Sequence, residues 1–144
     1  MWSRLYRCTK GVAAVEFALM LPILVMLVAA VADFGLAVNE KMRLTSAARA
    51  GAQWAYKKSG ETGGVALAVQ QASGLDPAQV TIGTQKFCGC VSGATVSCLG
   101  TCNDGNGVRT YVTVSVSESW APVIVSSVMD GPVALTGTVT LRVK

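Results

Sequence analysis

The chain has 144 residues, enough for one domain, and at 51% hydrophobic and 14% charged it is apolar for a soluble protein of this size. Three of its 12 Lys/Arg (Arg4, Arg7 and Lys10) precede Gly11, leaving nine against eight Asp/Glu, so the remainder offers no basic stripe for nucleic acid. The sequence contains no histidine, which excludes mechanisms that need an imidazole base or ligand.

From Gly11 to Ala32 the only charged residue is Glu16. As a helix this stretch covers roughly 33 Å, enough for a bilayer core of about 30 Å. Pro22 falls inside it and is tolerated in lipid, where neighbouring groups re-satisfy the freed carbonyl. Basic residues before the run, and none after it until Lys41, predict a cytoplasmic N-terminus and an exported remainder.

Three readings of this segment compete. A secretory signal is disfavoured because the run exceeds the usual apolar region of about 7–15 residues. Val28-Ala29-Ala30 and Ala30-Val31-Ala32 are only weak cleavage candidates, with no hydrophilic start behind them. An uncleaved anchor would show the same apolar span and flanking charge. The third reading is a leader removed after Gly11, supported by Gly11, Glu16, Phe17 and the charge step falling in one register. Cleavage would make Glu16 the fifth residue and give Val12 a free ammonium. A neighbouring subunit's Glu16 could then pair with that ammonium in a helix bundle, so that neither charge stands alone, and Val12 with Glu16 would set the axial register. The plainer alternative puts Glu16 at the headgroup interface. Cys8 does not make a lipobox, since Tyr6 and Arg7 replace the small residues such a site needs.

Asp33 to Tyr56 continues as helix, with Asn39 and Glu40 marking either a break or the exit from the membrane. Ala47, Ala48, Gly51, Ala52 and Ala55 make one side very small. This either permits close helix approach or reflects the helix propensity of Ala. Trp54 and Tyr56 read as core. Residues 57–64, Lys-Lys-Ser-Gly-Glu-Thr-Gly-Gly, form a polar linker. A short helix from Val65 to Ala72 follows, stopped by Gly74 with Pro77 beyond.

The C-terminal half alternates with period two: Val80 and Ile82; Val112, Val114 and Val116; Val139, Leu141 and Val143. These are strands with one buried face. The segment Trp120-Ala121-Pro122-Val123-Ile124-Val125 reads as a crossover covering the sheet or as an apolar surface for a partner. The expected architecture is α+β: a long N-terminal hydrophobic helix, then a small antiparallel sheet head with a cysteine-rich loop. The divisions are a leader over 1–11, a transmembrane helix over 12–38, its continuation over 39–56, a linker over 57–64 and an exported head over 65–144.

Four cysteines, Cys88, Cys90, Cys98 and Cys102, lie in that head, and an even number in a small exported domain predicts disulfides. Pairing Cys88 with Cys90 would close a very tight ring. In a hairpin, Cys90–Cys98 and Cys88–Cys102 nest naturally, while the crossed pairing Cys88–Cys98 and Cys90–Cys102 stays open. Each bridge would add about 2–4 kcal/mol to a small head. A zinc site is the rival, but structural zinc uses C-x2–4-C knuckles, which Cys98-x3-Cys102 satisfies and Cys88-x-Cys90 does not. No metal or other cofactor is expected.

Residues 11–22, Gly-Val-Ala-Ala-Val-Glu-Phe-Ala-Leu-Met-Leu-Pro, resemble the N-terminal signature of the TadE-like pseudopilins, minor pilins of the tight-adherence (Tad, or Flp) pilus system. The resemblance continues through Asp33-Phe34-Gly35 and residues 44–52, weakens over 108–144, and is absent across the cysteines. It implies cleavage between Gly11 and Val12 by a prepilin peptidase, with Glu16 and Phe17 as the family's Glu-Phe pair. It also implies residence in the inner membrane, with the C-terminal part periplasmic or extracellular, and partnership with other pilins and inner-membrane assembly proteins. The implied roles are pilus biogenesis, adhesion and biofilm formation.

An enzyme is the weakest class: Asp76, Asp104, Glu118 and Asp130 are scattered and read as turn or cap residues, with no carboxylate dyad. A pilus subunit leads. An uncleaved, membrane-anchored adhesin module is the alternative, and a pseudopilin of a type II secretion or other type IV pilus system is a sibling reading.

Overall fold

A computed structural model describes residues 11–74, 76, 78–103, 105–124 and 131–143. The basic leader with Cys8, together with Pro77, Asp104, Val125 and Asp130, lies outside them. The order of elements is α1 (Val12–Lys57), α2 (Val65–Ser73), β1 (Val80–Gly89), β2 (Thr95–Val96), β3 (Arg109–Trp120) and β4 (Val133–Arg142).

The helix α1 is unbroken for 46 residues, passing through Pro22 and through Asn39 and Glu40 without interruption. The sequence allowed a break at that pair; every residue from Val38 to Met42 instead has helix-compatible chemistry and no glycine or proline interrupts it. A turn over the polar linker folds α2 back onto α1, and Gly74 ends α2 in the left-handed conformation (φ 59°) that a residue without Cβ adopts at no steric cost.

The sheet is antiparallel, ordered β2-β1-β3-β4. The central strand β3 alternates buried Val112, Val114 and Val116 with more exposed Thr and Ser, as its period-two pattern requires. Those valines meet Leu44, Ala47, Ala48, Ala52 and Ala55 of α1 and Val65 and Val69 of α2 in one core. Each fully buried valine contributes about 1.5–3 kcal/mol of transfer free energy. The second half of α1 is therefore an integral wall of the head.

Two expectations are corrected here. Tyr56 is exposed, while Trp54 is half-buried against the core: at the end of α1 the two point to different sides, and only Trp54 faces the start of α2. Residues 120–124 do not begin a crossover, because β3 and β4 are adjacent and antiparallel, with Trp120 opposite Val133, and Val125 lies outside the described residues. A connection between neighbouring antiparallel strands has no sheet to cross.

Candidate functional site: the apolar helix and its junction with the head

The first half of α1 stands clear of the head. It is long and apolar enough to cross a membrane, and none of its most apolar stretch is buried. Gly11 is the residue before the first helical turn, a Cβ on it would meet nothing within 4 Å among the described residues, and Val12 opens the helix. Val12 and Glu16 are four residues apart and so share one helix face, with Phe17 beside them, all three exposed. In water such a surface would be an association liability; in lipid or among like helices it is satisfied.

Farther along, the helix turns a stripe of small and selected residues to the sheet and to α2: Asp33, Ala37, Glu40, Leu44, then Ala47, Ala48, Gly51, Ala52 and Ala55. Close approach, rather than helix propensity alone, explains the small ones. A Cβ on Gly51 would lie 2.6 Å from Val69 Cγ2 and 3.0 Å from Val65 Cγ1. On the sheet side Gly137 performs the same service for β4, which lies against the backbone of Leu44 and Thr45.

At the junction of the free and packed halves sits Asp33, only 3% exposed. Its Oδ1 accepts hydrogen bonds from the backbone N–H groups of Val123 and Ile124, both at 3.1 Å, and its Oδ2 accepts from Ile124 N–H at 3.0 Å. One carboxylate thus clamps the segment leaving β3 onto α1. Charge-assisted bonds to a carboxylate are the stronger kind. Beside it Ala37 and Phe34 of the helix and Trp120, Val133 and Leu135 of the strand ends line an apolar groove of about 310 Å³. Pro122 is buried here, whereas Val123 and Ile124 expose their side chains. In the sequence the apolar run ends at Ala32, and no local motif gives Asp33 a role. The available signal was that Asp33 is the only ionisable residue between Glu16 and Glu40.

Just beyond, the structure brings together two carboxyls that the sequence reading kept apart. Glu118 on β3 faces Glu40 on α1, and Arg43 lies 3.6 Å from Glu40 Oε1. Loss of solvent, then the charge and the hydrogen-bonding carboxyl of Glu40, raise the Glu118 pKa, and Arg43 offsets this only in part. Glu118 is thus a strand residue in a cross-layer pair rather than a turn or cap. Asp76 does make a turn, its Oδ1 accepting from Ala78 N–H at 3.0 Å.

The cysteines are at the opposite end of the head. Cys88 pairs across β1–β3 with Thr110, near the start of β3, whereas Asp33 holds the segment just past its other end. The bridges are Cys88–Cys98 and Cys90–Cys102, the crossed pairing instead of the nested one. Nesting presumes a plain hairpin; here β2 is only two residues long and pairs Cys88 with Val96, so the chain after it is free to loop back with Cys98 to Cys88 and Cys102 to Cys90. With all four sulfurs in disulfides, none is a thiolate for zinc.

Residues 11–53 match the family model described as TadE-like protein, a span that begins one residue before α1 and covers most of it. No curated protein and no solved structure matches the chain.

Proposed function

We propose, from the match of residues 11–53 to the TadE-like family model, that the chain is a Tad pilus-associated protein, a minor pilin or pseudopilin that primes or enters a Tad/Flp-type filament. The observation that carries this is a coincidence of register. The family match starts at Gly11, the helix starts at Val12, and Glu16 is the fifth helical residue of an otherwise apolar half-helix.

A prepilin peptidase cuts between Gly11 and Val12. Gly11 suits that bond because it offers no side chain to obstruct attack, and Gly11 and Val12 are both exposed. The new Val12 ammonium meets Glu16 of a neighbouring subunit as the free half-helices bundle. The pairing lets two charges enter apolar surroundings together and sets the axial stagger between subunits. Before assembly α1 anchors the protein in the inner membrane with its N-terminus cytoplasmic. The disulfides fit a head on the oxidising side. Partners are the peptidase, other pilins, inner-membrane assembly proteins and the lipid bilayer. Support of adhesion and biofilm formation follows from the filament.

The deciding experiment is the N-terminus and intact mass of the membrane-extracted protein, from hosts with and without a prepilin peptidase. A chain beginning at Val12 only when the peptidase is present supports the proposal. A chain keeping Met1 or Trp2 in both hosts overturns it in favour of an uncleaved anchored adhesin.

A further inference from the structure

We infer that the segment leaving β3, Trp120 to Ile124, is seated in the outer leaflet of the membrane that α1 crosses, with the groove beside it taking lipid acyl chain. The inference rests on reading α1 as a membrane span. Between Glu16 and Glu40 the helix covers roughly 35 Å and carries one ionisable group, Asp33. With Glu16 at one boundary, Asp33 lies about 25 Å along the axis, inside a hydrocarbon core of about 30 Å. A bare carboxylate at that depth is costly. This one is not bare: the amides of Val123 and Ile124 cover both its oxygens.

Those bonds fix the depth of the segment. Wherever Asp33 sits, Val123 and Ile124 sit within about 3 Å of it. Everything the segment presents is suited to that place. Trp120, Ala121, Pro122, Val123 and Ile124 carry no charge, and Val123 and Ile124 are 70% and 51% exposed. Phe34 is 71% exposed on the adjacent helix surface, so this apolar patch is continuous with the membrane helix. The groove between Phe34 and Trp120 is lined almost wholly by apolar atoms and opens beside the same surface. A tryptophan at the outer boundary matches the interfacial preference of that ring. The charged residues resume on the next turns, with Glu40, Lys41 and Arg43.

The test uses the full chain carrying Trp2→Phe, reconstituted in liposomes whose lipids are brominated on the acyl chains near the headgroup. Trp54, near the far end of α1, and Trp120 then remain as fluorophores. Bromolipid is expected to quench part of the emission, and adding Trp120→Phe is expected to abolish that part while leaving the Trp54 emission unquenched. Flotation of the same liposomes reports the span independently. Protein that does not float refutes the membrane reading itself. Protein that floats, with Trp120 unquenched by bromolipid and open to aqueous acrylamide, refutes the seating alone. Protein that floats with Trp120 shielded from both quenchers, and cross-linked to a second copy through the groove, also refutes it and makes that copy the occupant.

Discussion

Gly137 of β4 rests directly on Thr45 of α1: a Cβ at Gly137 would lie 2.7 Å from the Thr45 Cα and closer still to its backbone nitrogen. Backbone cannot swing aside as a side chain can, so Gly137→Ala forces β4 off the helix. Overpacking of this kind costs about 1–3 kcal/mol. Gly51→Ala is the informative contrast. It crowds only the methyls of Val69, Val65 and Val114, and it gains about 1 kcal/mol of helix propensity. Denaturant unfolding of the two variants should rank Gly137→Ala as clearly the more destabilised. Equal losses would mean that the helix and sheet do not approach as closely as Gly137 implies.

The clamp at Asp33 gives a second prediction. Asp33→Ala removes the acceptor of both the Val123 and Ile124 amides, and unpaired donors cost about 1–3 kcal/mol where water cannot reach them. Asp33→Asn retains one carbonyl acceptor and should lose less. Amide hydrogen exchange is the specific check: Val123 and Ile124 should exchange faster in Asp33→Ala, with Val112, Val114 and Val116 unchanged. Unchanged protection at 123 and 124 would show that the carboxylate does not hold the segment.

How far the fold could be read in advance depended on whether a signal was local. The valine alternation of β3, the short second helix and its Gly74 stop are written in single segments, and they stand as read. The small face of α1 was visible at Ala47, Ala48, Gly51, Ala52 and Ala55, but its purpose needed the partners Val69 and Val114 from other elements. Asp33 was hidden for the same reason. Its partners are about ninety residues away and are backbone amides, which leave no mark in side-chain chemistry. Glu40 and Glu118 meet only because the β3 register places one opposite the helix position of the other. The cysteines were recognisable as disulfide formers by number and compartment, whereas their pairing depends on a loop path that spacing does not encode.

That pairing can be tested by counting thiols. Changing Cys88 and Cys98 together to Ser should leave Cys90–Cys102 closed, with no alkylatable thiol in the head. Changing Cys88 and Cys102 together should strand Cys90 and Cys98 as two. Nested pairing would reverse the two results. Loops closed by bridges 10 and 12 residues apart predict a loss of about 2–3 kcal/mol for removing either one, since loop closure depends only weakly on length. The two loops interleave, so each bridge shortens the loop the other closes, and removing both should cost more than the sum of the two single losses.

The Glu40–Glu118 pair lies beyond the apolar half-helix and makes stability depend on pH. Glu118 holds its proton more tightly in the folded protein than in the unfolded chain, through lost solvent and the facing carboxyl. The folded state therefore binds more protons than the unfolded state between the ordinary glutamate pKa and the raised one. Stability falls as pH climbs through that window and is regained on acidification. Glu118→Gln keeps the shape and removes the charge. Its Tm should exceed that of the parent at pH 7, and the gap should close as pH drops toward about 4.3, the ordinary glutamate value. Glu40→Gln should shrink the gap too, because it removes the facing charge while leaving Glu118 in place. A Tm difference constant across this range would mean that the Glu118 pKa is not raised in the folded protein.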